Sequence, residues 1–114
     1  MLNVTIREVK KDDISLLPYA KKDVYGLVCL LSHGKTTEDE EKIKIFTQDV
    51  IADVIKQGGT FYLPYRLHYR ANQLLAAYPE IKNWVKLKKK YDPELIFQSQ
   101  FFYYIQKILE KLKH

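Results

Sequence analysis

Just after the Gly58-Gly59 pair the chain carries Tyr62, Tyr65, Arg66 and His68, a set able to do polar chemistry. Arg66 offers a cation to a phosphate oxygen, and Tyr65 a phenol to a hydroxyl. His68 is the candidate catalytic group, since an unperturbed pKa of about 6.5 suits a proton acceptor near neutral pH. Each has a plainer use as well. The tyrosines can be half-buried packing, Arg66 a solvated charge, and a histidine entering a helix a cap or surface residue. Cys29 lies within an apolar segment, where a free cysteine lines a pocket or acts as a small core hydrophobe. The three histidines and one cysteine lack metal-ligand spacing, so no metal site is expected.

The elements that must position these residues follow from hydrophobic period. Leu2 to Val9 alternates, with Leu2, Val4 and Ile6 pointing one way and Asn3, Thr5 and Arg7 the other, which predicts a strand with one buried face. Val24 to Leu31 is almost continuously apolar and reads as a central strand. Thr37 and Glu40 form a capping box. The helix they open puts Ile43, Phe46, Val50, Ile51, Val54 and Ile55 on one stripe and stops at Gly58-Gly59. Thr60 to Leu63 is a short β-prone segment closed by Pro64. A helical stretch covers about 69–77, Pro79 opens another helix carrying Ile81, Trp84 and Leu87, and Asp92-Pro93 repeats the start signal. The tail helix gathers Phe101, Phe102, Ile105, Ile108, Leu109 and Leu112 on one side. The fold class is therefore α+β, a small antiparallel sheet of two to three strands covered on one face by helices. So narrow a sheet keeps open edges unless a neighbouring domain or a second copy completes it.

The 114 residues fit one domain or part of one, and 46% hydrophobic with 29% charged residues excludes a disordered chain. A formal net charge of +5 suits an anionic partner but is ordinary for a soluble domain, so nucleic acid is not expected. One cysteine permits no intramolecular disulfide and points to a reducing, cytoplasmic setting. The N-terminus lacks the apolar region of a signal peptide, and no apolar run reaches the roughly 18 residues that span a bilayer. Lys86, Lys88, Lys89 and Lys90 read as a solvated helix face sooner than a phosphate patch.

From Gly58 onward the chain resembles the C-terminal segment of the vanillyl-alcohol-oxidase superfamily of flavoenzymes, closest to the sugar-1,4-lactone oxidases and decaprenylphosphoryl-ribose oxidases. The resemblance rests on Gly58-Gly59, Tyr62, Ala71, Tyr78-Pro79, Trp84, Lys88-Lys89-Lys90, and Asp92-Pro93 followed by Phe97 and Ser99, in order over about 42 residues. More loosely, Ser15-Leu16-Leu17-Pro18 and Tyr25-Gly26-Leu27-Val28-Cys29 look like the strand-loop-strand that the family places beside the flavin. The resemblance implies a partial cap, or substrate, domain of an FAD-linked oxidase acting on CH–OH groups of a sugar, sugar lactone or polyol. It implies hydride transfer to flavin while a base takes the hydroxyl proton. Tyr62, Tyr65, Arg66 and Cys29 would then stand on the substrate or flavin side. The decaprenylphosphoryl-ribose branch has a lysine and an acidic residue where this chain has Tyr65 and Arg66, so that lysine's contacts do not carry over.

No G-x-G-x-x-G or P-loop occurs. FAD is thus expected in the complete enzyme and not on this chain alone, whether it is a truncated product, one half of a split enzyme or an excised piece. The expected partners are a separate FAD-binding domain or chain, a sugar-type substrate, and a second copy in a homo-oligomer. Two other readings stay open: a basic anion- or nucleic-acid-binding module, and a self-associating interaction domain.

Overall fold

A computed structural model describes residues 3–113. Two strands, β1 (Asn3–Val9) and β2 (Val24–Leu30), precede four helices: α1 (Thr37–Lys56), α2 (Ala71–Ala77), α3 (Ile81–Tyr91) and α4 (Gln100–Lys111). The class is α+β, as the periodicities require. Met1 and Leu2, the latter expected in the first strand, lie outside the described residues.

The strands pair antiparallel, with Asn3 opposite Leu30, Ile6 opposite Leu27 and Val9 opposite Val24. Directly opposed residues share a face, so Val4, Ile6, Leu27 and Cys29 lie together. The connection between the strands is held by the side chain of Asp12, which accepts from Ile14 N and Ser15 N, both at 2.9 Å. The backbone N of Asp12 donates to Ala20 O at 2.9 Å, and the hydroxyl of Thr60 ties Tyr19 O to the helical half.

β2 is not the buried central strand that its apolar run suggested. It is one member of a two-stranded sheet, and Leu27, Val28 and Leu30 remain 59%, 52% and 58% exposed. Gly26 alone is buried there, because Val9 Cγ2 and Tyr19 Oη approach to 3.2 and 3.5 Å of where its Cβ would be. Thr60 to Leu63 adds no third strand. Its backbone is used otherwise, with Phe61 O accepting from the Tyr78 hydroxyl at 2.5 Å.

α1 begins one residue earlier than expected. Thr36 is the N-cap, its hydroxyl accepting from Asp39 N at 3.1 Å while the Asp39 carboxylate receives Thr36 N at 3.3 Å. The shift of one residue releases Glu40 from capping. At the other end Gly58 adopts φ +75°, and Gly58 N and Gly59 N close on Ile55 O and Val54 O at 2.9 Å each. The inward face is rotated from the expected stripe. Ile51 and Gln48 are buried, whereas Phe46 and Val50 are exposed.

Glu80 occupies the N-cap position of α3 without a side-chain capping bond, and Pro79 lies just outside the helix. Asp92-Pro93 does not start the tail helix. Asp92 ends α3, pairs with Lys88, and receives Ile96 N and Phe97 N at 2.9 and 3.0 Å. Ser99 caps α4 instead, accepting from Phe102 N at 3.1 Å. Ile81, Phe102, Ile105 and Ile108 then join Ile51, Leu63, Tyr69, Leu74 and Tyr78 in one helical core. The sheet stands beside this core and meets α1 across an open cleft. The radius of gyration is accordingly 15.3 Å, against about 13 Å for a fully compact chain of this length.

Candidate functional site

The cleft between β2 and α1 has a volume of about 360 Å³. Leu27, Cys29 and Leu31 form its sheet wall, Ile43, Thr47 and Ile51 its helix wall, and the segment from Phe61 to Tyr69 its base and rim. All five residues singled out in the sequence line it: Cys29, Tyr62, Tyr65, Arg66 and His68. They come from segments more than thirty residues apart, and only the folded chain brings them together.

Their environments differ. Tyr62 and Tyr65 are exposed at the rim, with ring centroids 5.8 Å apart in an edge-on arrangement. Tyr62 also stands edge-on to Tyr19 at 6.5 Å. Both phenols are free to meet a ligand hydroxyl. Cys29 is an exposed free thiol on the sheet wall and not a core hydrophobe. Arg66 is not a loose charge, since its Nη2 donates to both carboxylate oxygens of Glu40 at 2.7 and 2.8 Å while half of the side chain stays exposed.

His68 is 8% exposed, and its Nε2 lies 2.9 Å from the same Glu40 Oε1. As the carboxylate only accepts, Nε2 carries a hydrogen and donates it to Glu40. Nδ1 is buried and finds no partner among the described residues, and neither does the hydroxyl of the adjacent Tyr69. The His68 backbone is fixed from behind, where Gln48 Nε2 donates to His68 O at 2.7 Å. Gln48 is pinned in turn by Arg70 Nε at 2.9 Å and by Gln73 Nε2, which donates to its carbonyl at 2.7 Å. The Arg66 guanidinium, then His68, hold the Glu40 carboxyl below its ordinary range.

The arrangement is an imidazole oriented by a carboxylate, in a cleft whose rim carries two phenols. Glu40 offsets the charge of Arg66 at the edge of a cleft whose walls are largely apolar. Leaving two buried polar groups unpaired costs about 1–3 kcal/mol each, which a folded chain tolerates most readily where a ligand is handled.

Reasoning from sequence missed Glu40, Gln48 and Tyr69. Thr36-Thr37 followed by Asp39-Glu40 offers two capping frames, and either leaves one acid over.

Neither end of α1, beside the cleft, offers a phosphate site. Phosphates favour helix N-termini, but the first turn of α1 holds Glu38, Asp39 and Glu40, and Asp39 occupies the space beside Gly34. Gly58-Gly59 lies at a helix C-terminus, where carbonyls face outward. Among the described residues no cluster of three or more His, Cys, Asp or Glu is arranged to hold a metal ion, and no helix is long and apolar enough to cross a membrane. Comparison with protein-family models, with curated proteins and with solved structures finds no match to this chain.

Proposed function

We propose that this chain is the substrate-side segment of an FAD-dependent oxidoreductase acting on a CH–OH group of a sugar, sugar lactone or polyol. It works in the cytoplasm with a flavin-binding domain supplied by another segment or chain. The observation that carries the reading is the convergence of Cys29, Tyr62, Tyr65, Arg66 and His68 on one electrically balanced cleft. Tyr62 and Tyr65 hydrogen-bond the ligand hydroxyls, and His68, held by Glu40, is the candidate acceptor of a hydroxyl proton. Glu40 is a positioning residue. The exposed thiol of Cys29 is in keeping with a reducing compartment.

The need for a second part is supported by the sheet. A two-stranded ribbon is at best marginally stable alone, and this one leaves Ile6 and Leu27 exposed on one face and Val28 and Leu30 on the other. A flavin-bearing partner covers that surface, and in its absence a second copy does.

The test is to titrate the purified chain with FAD, following flavin fluorescence and absorbance, and to assay it with a sugar lactone. The expected result is an unchanged flavin spectrum and no turnover. Tight binding with a perturbed spectrum, or flavin reduction by the chain alone, overturns the reading.

A further inference from the structure

The charge of the chain is unevenly placed. From Ile81 to Lys113 it has eight lysines against three carboxylates, Asp92, Glu94 and Glu110, whereas the residues before Ile81 carry eleven basic and eleven acidic side chains. The whole formal net charge of +5 therefore sits on the C-terminal segment from α3 to Lys113. Between these two helices runs a groove of about 330 Å³, distinct from the cleft described above and sharing no residue with it. Its floor is apolar, made by Val85, Leu109 and Leu112, the last 50% exposed. Lys82, Lys86 and Lys89, one helical turn apart along α3, line one side, and Lys113 stands at the α4 end.

Among the described residues none of these lysines forms an ion pair, and Glu110, the one carboxylate in the lining, is not engaged with any of them. Lys88, by contrast, is paired with Asp92 and donates to Phe97 O. The helix thus uses one lysine to fix its own C-terminal turn and leaves three aimed along the groove. Free ammonium groups around an apolar floor are complementary to a molecule that is anionic at one end and apolar along its length. The volume lies within the range of small-molecule sites, roughly 300–1,000 Å³.

We propose that the α3–α4 groove binds an anionic amphiphile, an alkyl phosphate or alkyl carboxylate, with its chain on Val85, Leu109 and Leu112 and its head between Lys82, Lys86 and Lys89. This does not rest on the oxidoreductase reading. A patch of lysines alone would serve any polyanion, but the apolar floor gives a reason for the chain as well as the head.

The full chain, isotopically labelled, is titrated with hexyl phosphate, inorganic phosphate and hexanol while its amide resonances are followed. Hexyl phosphate should shift residues of Lys82–Lys89 and Gln106–Lys113 at concentrations about tenfold or more below those needed for either of the others. The double variant Lys82→Glu/Lys86→Glu should weaken it by about tenfold, and Leu112→Ser should reduce it to the level of inorganic phosphate. All three positions are exposed, and circular dichroism checks that the variants fold. Flotation with phosphatidylcholine vesicles containing phosphatidylglycerol, lost in the double variant, would assign the head to a lipid, and no flotation would assign it to a free molecule. Hexyl phosphate binding no better than inorganic phosphate, shifts confined to the β2–α1 cleft, or full displacement by a DNA oligonucleotide would overturn the proposal.

Discussion

Replacing Tyr69 by phenylalanine should stabilise the chain, whereas the same change at Tyr78 or Tyr104 should destabilise it. All three rings pack together: Tyr69 stands edge-on to Tyr104 at 5.3 Å, and Phe61 lies 4.9 Å from Tyr69 and 5.7 Å from Tyr78. Phenylalanine keeps this packing, so only the hydroxyls differ. Tyr78 Oη donates to Phe61 O at 2.5 Å and Tyr104 Oη to Tyr69 O at 2.6 Å, but Tyr69 Oη, on a residue 1% exposed, has no partner among the described residues. A hydrogen bond made on folding is worth about 0.5–1.5 kcal/mol net, and a buried polar group left unpaired costs about 1–3 kcal/mol. Tyr78→Phe and Tyr104→Phe should therefore each lose about 1 kcal/mol, and Tyr69→Phe should gain about 1 kcal/mol, roughly 4 °C in melting temperature for a chain of this size. Urea unfolding followed by fluorescence reads this directly, because Trp84 is the single tryptophan and packs against Phe101 and Phe102 at 5.5 and 5.9 Å. A loss in Tyr69→Phe equal to that in Tyr104→Phe would mean that the hydroxyl has a partner, and the unpaired groups would no longer mark the cleft. If they do mark it, the stabilised variant should bind a sugar lactone more weakly than the parent.

Other expectations follow from the same contacts. Glu40→Gln should release Arg66, so that sulfate newly perturbs the Arg66 side-chain resonances, while an unchanged spectrum would show that Glu40 does not hold the guanidinium. Gly58→Ala should lose about 1 kcal/mol in thermal unfolding, because φ +75° strains any Cβ although nothing lies within 4 Å of it. Burial pushes Tyr78 up to about 12 and raises Tyr69 and Tyr104, so their contribution is complete below the ordinary value of 10.0 and is lost as pH rises above it. Tyrosinate absorbance should then show a late step coincident with loss of helical circular dichroism. Glu40, Asp39 and Asp92 are lowered, so their contribution holds above ordinary values of 4.5, 3.8 and 3.8 and is lost as pH falls below them. Urea unfolding repeated across pH should show this carboxylate contribution declining below roughly pH 4.

The helices were legible because their signals are local: the Gly58-Gly59 stop, the period of α4 and the start of α3 near Pro79 need no tertiary knowledge. The errors arose where two local readings competed. Thr36 and Thr37 are both able caps, and the choice between them decided whether Glu40 was a capping acid or the carboxylate that orients His68. Asp92-Pro93 has the form of a helix start, yet the carboxylate is taken by Lys88 and by two amides of the following turn. β2 reads as central because both of its faces are apolar, and hydrophobicity alone does not say whether a neighbour is present to bury them. The candidate site was visible as residue types in Tyr62–His68, but its second half, Glu40 and Gln48, became visible only when α1 was laid beside that segment.

The substrate-side role of the cleft is tested most directly by titrating the labelled chain with a sugar-1,4-lactone and mapping amide shifts. Shifts at Leu27–Leu31, Ile43–Ile51 and Phe61–Tyr69 at millimolar lactone, weakened by His68→Ala or by Tyr62→Phe with Tyr65→Phe, are the expected result. Absence of any shift at the limit of lactone solubility, or shifts confined to α3 and α4, would contradict the assignment of this cleft.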